Sequence, residues 1–257
     1  MRPHLLVQAQ ETAARGGLNL FGLVDAARFD ACQPREQRVA RHLPACGTIV
    51  VLGTGGRAFW LQYAQANGNG PAPASPDGFA AAALRGVADL LTAAKVRCEA
   101  IALPASPGWS TGRLGECAGF GTVSPVSGLL LHPDYGPWLQ VRGVVLVEGQ
   151  PFGPIRDASI SERFQPCCAC PRPCVTACPA GVHDGLGHQD LAACGSHRHA
   201  GGCDTVCSSR NACPLGSEHR DGFGEAAHRH GYQLATMQRW FGFGVWRFVP
   251  AFLRQGR

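Results

Sequence analysis

The chain has 257 residues, 45% hydrophobic and only 16% charged, which supplies apolar material for one or two packed domains and excludes wholesale disorder. The net charge of +5 is too slight and too dispersed to indicate nucleic-acid binding, so no specific nucleic-acid partner is expected. No run offers 18 uncharged apolar residues and the first residues lack an apolar signal region, so a cytoplasmic, reducing setting is expected.

In chain order, residues 5–16 read as a helix with Leu5, Leu6, Ala9 and Ala13 on one face, and Leu18–Val24 as a strand. Arg28–Arg41 is charged and reads as surface loop or helix. Thr48–Leu52 (TIVVL) has the composition of a buried strand. Gly53–Ala58 matches G-x-G-x-x-A, but no acidic residue follows at a strand end, so a tight strand-to-helix turn is preferred to a dinucleotide fingerprint. Ala58–Ala66 and Phe79–Lys95 read as helices, separated by a Pro/Gly loop at Asn67–Gly78. Val96–Leu103, Val126–Leu131 and Val141–Val147 read as strands, the last two joined by a turn at His132–Pro137. The expected organisation is an α+β body over 1–155, a cysteine-rich module over 156–216 and an aromatic, basic tail over 217–257.

Thirteen cysteines stand out, nine of them between Cys167 and Cys213. In a reducing compartment such clustering indicates metal rather than disulfides. The first group is Cys167-Cys168-Ala169-Cys170, Cys174, Cys178-Pro179; the second is Cys194, Cys203, Cys207, Cys213-Pro214. Thiolates suit iron–sulfur clusters, and in two-cluster ferredoxins the cysteine before proline reaches across to the other cluster. On that pattern Cys167, Cys170, Cys174 and Cys213 hold one [4Fe–4S] cluster, and Cys194, Cys203, Cys207 and Cys178 hold a second. The spacing is irregular, and whether Cys167 or Cys168 is the ligand stays open. The rival is zinc, with His183, His188, His197 and His199 at hand.

Two stretches carry a resemblance. Glu116-Cys117-Ala118-Gly119-Phe120-Gly121 and Leu129-Leu130-Leu131-His132-Pro133-Asp134-Tyr135-Gly136-Pro137-Trp138 resemble the cobalamin-binding body of epoxyqueuosine reductases and corrinoid reductive dehalogenases. The following Gln140-Val141-Arg142-Gly143-Val144-Val145-Leu146 is similar to the cobalamin-processing protein CblC. The resemblance implies a nitroreductase-like α+β fold, a corrinoid (cobalamin) cofactor and, downstream, a two-cluster ferredoxin-like module. It also implies an external electron donor, such as a flavodoxin, a ferredoxin or a reductase. One departure is clear. Epoxyqueuosine reductases place an acid about thirteen residues before the AG-x-G motif, and here that position is Ala105, within Leu103–Pro107, which has no acid. Epoxide opening needs a positioned proton donor, so the departure counts against epoxyqueuosine reduction itself.

Read on their own chemistry, His132 sits at a strand end beside a turn, Tyr135 and Trp138 offer flat apolar faces, and Arg142 is a cation for a ligand carboxylate or phosphate. The competing readings are turn support for His132 and core packing for Trp138. Cys117 reads as a small buried residue rather than a reactive thiol. The tail, Trp240–Leu253, is amphipathic enough to meet a membrane surface or a partner, or to pack back on its own domain. The expected function is an iron–sulfur oxidoreductase that feeds electrons to a corrinoid, for reductive cobalamin processing or a cobalamin-dependent reduction. The alternatives are an electron carrier without corrinoid and a zinc-stabilised interaction protein.

Overall fold

The computed structural model describes residues 3–68, 75–103, 108–203, 205–222 and 225–226. It divides into two units, residues 1–122 with 139–163, and residues 123–138 with 164–257. The stretch 123–138, taken with the body on sequence, thus belongs to the cysteine-rich unit.

The first unit begins with α1 (Pro3–Arg15), whose buried face is Leu5, Ala9 and Ala13 as the period demands. β1 (Leu20–Asp25) alternates buried and half-buried residues. Asp25 then caps α2 (Ala26–Ala31), its side chain accepting from the backbone N–H of Arg28 at 2.9 Å. Two 3-10 turns follow where the charged stretch to Arg41 left helix or loop open. Next come β2 (Cys46–Gly55) and α3 (Ala58–Gly68), then α4 (Pro76–Ala93), β3 (Cys98–Ala102) and α5 (Thr111–Cys117). α4 starts inside the stretch assigned to loop, because Ser75 accepts from Gly78 N–H and Pro76 suits the first turn. The loop's residues 69–74 lie outside the described residues. α5 was not foreseen: its seven residues include two glycines, and its one start signal is the Ser110 cap.

After α5 come β4 (Thr122–Val123) and β5 (Leu130–Leu131), which form a two-stranded ribbon, and then β6 (Leu139–Glu148), which completes the main sheet. That sheet runs β1-β2-β6-β3, with every pair antiparallel. β2 and β6 are its centre, buried on both faces, which is why TIVVL and GVVLV read as unbroken apolar runs. α1 and α4 cover one face, with Leu84, Val87 and Leu91 of α4 packed among Val50, Leu52, Val145 and Val147. On the other face the chain after α5 comes so close that a Cβ on Gly22 would lie 2.5 Å from the Ala118 carbonyl oxygen. Gly53 and Gly55 lie within β2 and only Gly56, at φ +61°, makes the turn after it; because β2 has antiparallel neighbours on both sides, no dinucleotide-type parallel crossover exists there.

β2 and β6 slip register twice, between Cys46 and Thr48 and again between Leu52 and Gly53. Leu52 faces Gly143 and Gly53 faces Val141, so Arg142 is the extra residue of a bulge. Its side chain is buried, with the guanidinium carbon 4.2 Å from the centre of the Phe59 ring.

Among its described residues the second unit is mostly turns, with three short helices, α6 (Pro173–Thr176), α7 (Leu191–His199) and α8 (Ser208–Asn211). The strand expected at Val126–Leu131 is reduced to β5. Ser124 Oγ accepts from the N–H groups of Val126 and Ser127 at 3.1 and 3.0 Å, which bends residues 124–128 into a turn. Ser217–His219 forms a 3-10 turn, while His228–His230 and Trp240–Leu253 lie outside the described residues.

Gly143 is required by packing. A Cβ there would stand 2.4 Å from a Leu84 methyl and 2.6 Å from the Ile101 carbonyl oxygen. Gly143→Ala is expected to destabilise the first unit by about 1–3 kcal/mol, read as a lower urea midpoint with an unchanged slope.

Candidate functional site

The nine clustered cysteines fall in the second unit, on and between its short helices. Cys174 lies in α6 and Cys178 just after it; Cys194 lies in α7; Cys207 caps α8, and Cys213 follows that helix. α6 packs against α8, which brings the two sequence groups together.

The thiols sort into two sets. Burial raises the Cys213 thiol, and the nearby sulfurs of Cys174, Cys170 and Cys167 add to the effect. Cys174 is raised in the same way, by burial and then by Cys167 and Cys170. These four line one cavity of about 30 Å³, with Val126 and Leu131 among its walls. In the other set, burial and the neighbouring Cys207, Cys178 and Cys203 push Cys194 up to about 11, against the opposing pull of Arg198. Cys207 is raised first by burial, with Cys203 and Cys178 contributing. Each set therefore draws its fourth thiol from the other sequence group. Every one of the thirteen cysteines is free, and among the described residues no three His, Cys, Asp or Glu side chains stand in coordinating positions about a single ion.

Cys167 and Cys168 differ in surroundings. Cys167 faces the cavity and shares a 3.3 Å hydrogen bond with the buried Ser124 hydroxyl. Cys168 is exposed, its sulfur donating to Gln165 Oε1 at 3.4 Å. Backbone conformation also marks this segment: Arg172 and Cys203 hold positive φ, at 59° and 48°, which non-glycine residues rarely adopt.

His132, Tyr135 and Trp138 belong to the second unit and Arg142 to the first. Residues 132–136 close a tight turn, with His132 and Gly136 exchanging two backbone hydrogen bonds of 2.9 Å. The turn lies against the segment after Cys213-Pro214. A Cβ on Gly136, whose φ is +55°, would stand 1.9 Å from the Leu215 carbonyl oxygen, and one on Gly216 would stand 2.4 Å from the Tyr135 carbonyl carbon. Both glycines are thus dictated by a backbone contact within the unit. The Tyr135 ring lies between two imidazoles, its centre 4.7 Å from that of His132 and 4.8 Å from that of His219. Trp138 is fully buried, with the Arg220 guanidinium 5.7 Å from its ring centre. The Ala105 position lies outside the described residues.

His132 is a turn residue with a defined tautomer. Its Nδ1 accepts from the N–H groups of Asp134 and Tyr135 at 3.0 and 3.3 Å, so the neutral ring carries its proton on Nε2. Burial lowers its pKa and outweighs the opposing charge of Asp134.

No family model matches the sequence, and no curated protein matches it. Solved structures do match. The fold is similar to that of epoxyqueuosine reductase from Bacillus subtilis (TM-score 0.59, 16% identity, 86% of this chain and 67% of that one). It is similar too to an epoxyqueuosine reductase bound to an epoxyqueuosine-modified tRNA-Tyr stem loop (TM-score 0.58, 16% identity, 88% and 68%). A third match is the catabolic reductive dehalogenase NpRdhA in complex with 3-bromo-4-hydroxybenzoic acid (TM-score 0.50, 16% identity), where the match covers 87% of this chain but 33% of that one. The chain thus has a mixed α/β fold similar to that of these reductases, in keeping with the likeness of its two sequence stretches. Among the described residues no helix is long and apolar enough to cross a membrane.

A lowered histidine pKa has a definite sign. The folded state resists protonation that the unfolded chain accepts near pH 6.5, so the stability tied to a neutral His132 is present above that pH and is lost as pH falls through the folded pKa. His132→Gln is expected to flatten the fall in unfolding midpoint between pH 7 and 5. An unchanged slope would show that the ring titrates freely.

Proposed function

We propose that the chain is an iron–sulfur oxidoreductase that passes electrons from an external donor through two [4Fe–4S] clusters to a bound corrinoid. The observation that carries the reading is the sorting of eight thiols into two sets of four, each completed by the cysteine before proline of the other group. The donor set fits: it is all sulfur, its members are half-buried, and one set lines a largely apolar cavity. Cys167 and not Cys168 is assigned as the ligand, from its place in that cavity.

When bound, the clusters supply one-electron transfer and the corrinoid supplies a metal centre for reductive removal of a substituent. The chain's own groups set the surroundings. Buried, protonated thiols must release protons as ligands form, so loading depends on pH. Ser124 holds the Cys167 sulfur, and Arg198 places a positive charge near Cys194. Tyr135 and His132, whose rings lie 4.7 Å apart, are the flat groups that would lie against a bound corrinoid, and Trp138 is buried in the same unit. Arg142 supports the body through Phe59. The superfamily fold supports a reductive reaction, either cobalamin processing or a reduction of an organic substrate. The absence of an acid from Leu103–Pro107 favours a reaction other than epoxide opening.

The second reading, a cluster-bearing electron carrier without corrinoid, is favoured by the burial of Trp138 and Arg142, which leaves neither side chain exposed for a ligand. Anaerobic reconstitution separates the readings. The wild-type chain is expected to hold about eight irons, and Cys178→Ser about four, with the loss in the set containing Cys194 although Cys178 lies in the first group. Titration with cob(II)alamin is expected to shift its absorption spectrum. Iron without that shift would establish the carrier, and colourless protein holding zinc would end both readings.

A further inference from the structure

Away from the cluster thiols, the first unit contains a second cavity, of about 310 Å³, formed between α2, α5 and the residues that follow β6. Two cysteines far apart in sequence line it. Cys32 ends α2 and is exposed; Cys117 is the last residue of α5 and is half-buried. Arg113, one turn before Cys117, sits between them. Its guanidinium interacts first with the Cys117 sulfur and also hydrogen-bonds the Cys32 sulfur. Two ion pairs stand in the cavity wall, Arg28 with Asp157 at 2.6 Å and Arg113 with Glu116 at 3.1 Å.

The two remaining cysteines of the unit are built differently. Cys46 donates to the Thr48 carbonyl oxygen at 3.4 Å and Cys98 to that of Ala88 at 3.3 Å, and neither lines this cavity. They are occupied, structural thiols. Cys32 and Cys117 share an open, charged cavity with Arg113 beside them, where a small molecule can reach the exposed sulfur.

We propose that Cys32 and Cys117 form a thiol–disulfide exchange site that reduces small organic disulfides, with Cys32 as the attacking thiol and Cys117 as the resolving one. Cys32 is the exposed sulfur an outside molecule meets, and the charge of Arg113, which opposes the effect of burial on Cys117, serves the second step. Its attack breaks the disulfide, releases one thiol carrying the proton lost by Cys32, and leaves a mixed disulfide on Cys32. Cys117 then attacks the Cys32 sulfur and releases the second thiol with its own proton. Two electrons and two protons pass from the cysteine pair to the disulfide, and the chain is left with a Cys32–Cys117 bond. Burial keeps Cys117 protonated until that second step, with the charge of Arg113 opposing the effect.

The test uses the full chain treated with hydroxyethyl disulfide under anaerobic conditions, followed by alkylation and peptide mapping. Each thiol is read separately, so the outcome is independent of cluster loading and of the function proposed above. The expected product is a linked Cys32–Cys117 peptide. Cys117→Ser and Cys117→Ala should both accumulate the mixed disulfide on Cys32, and Arg113→Gln should slow the resolving step about tenfold. The proposal is overturned if the mixed disulfide persists on Cys32 in the unaltered chain, or if Cys32 reacts no faster than Cys46 and Cys98. A linked peptide formed equally well without Arg113 would remove that residue from the mechanism.

Discussion

A thiol removed from water holds its proton, and most of the second unit is arranged around that constraint. Cys194, Cys207, Cys213 and Cys174 are each raised chiefly by burial, and each lies close enough to other sulfurs to be raised further. Placing so many potentially charged groups side by side has a cost for a purely structural protein, because any one of them that ionises repels its neighbours. The arrangement becomes favourable when a metal centre takes the thiolates as ligands, since the positive charge then offsets the repulsion and each lost proton is replaced by a metal–sulfur bond. Turn-rich chain and short helices would suit such a unit, because in the proposed holo form ligand bonds would do the work of a large apolar core.

The turn at 132–138 follows the same logic by other means. Gly136 and Gly216 allow two backbone segments to touch, and no side chain could be inserted between them. The contact ties the His132–Trp138 stretch to the residues directly after Cys213. The burial of Trp138, the tautomer of His132 and the seating of a proposed cluster ligand therefore depend on one close approach within the unit. In the first unit the comparable fixed point is the β2–β6 pair, where Gly143 admits Leu84 and the bulge turns Arg142 onto Phe59.

Much of this was legible because burial leaves a period. α1, β2, α4 and β6 show the repeats of 3.6 or the unbroken apolar runs that their places in the core require. The paired Cys-Pro endings are the sequence basis for the proposed exchange of ligands between the two groups. Elements lacking a period were missed or misjudged. α5 is short and glycine-containing, and Ser124 overrides a β-rich run by capturing two backbone donors. Arg142 reads as a cation for a ligand because a charge in a strand is unexpected, and its place as the extra residue of a bulge depends on the pairing with β2, which one strand's residues do not reveal.

The Cys32–Cys117 pair was hidden for a related reason. No spacing rule connects a cysteine at the end of α2 with one at the end of α5, and taken singly each is an ordinary thiol. What distinguishes the pair is the company each sulfur keeps. Cys46 and Cys98 are satisfied by carbonyl oxygens, the clustered cysteines by one another, and Cys32 and Cys117 by a shared arginine in a cavity open to small molecules. Thiol chemistry follows those partners more closely than it follows burial alone. A carbonyl partner leaves the sulfur protonated, a set of sulfurs calls for a metal, and a guanidinium favours the thiolate. One chain with thirteen free cysteines can therefore keep structural, ligand and exchange thiols apart with no disulfide framework to separate them.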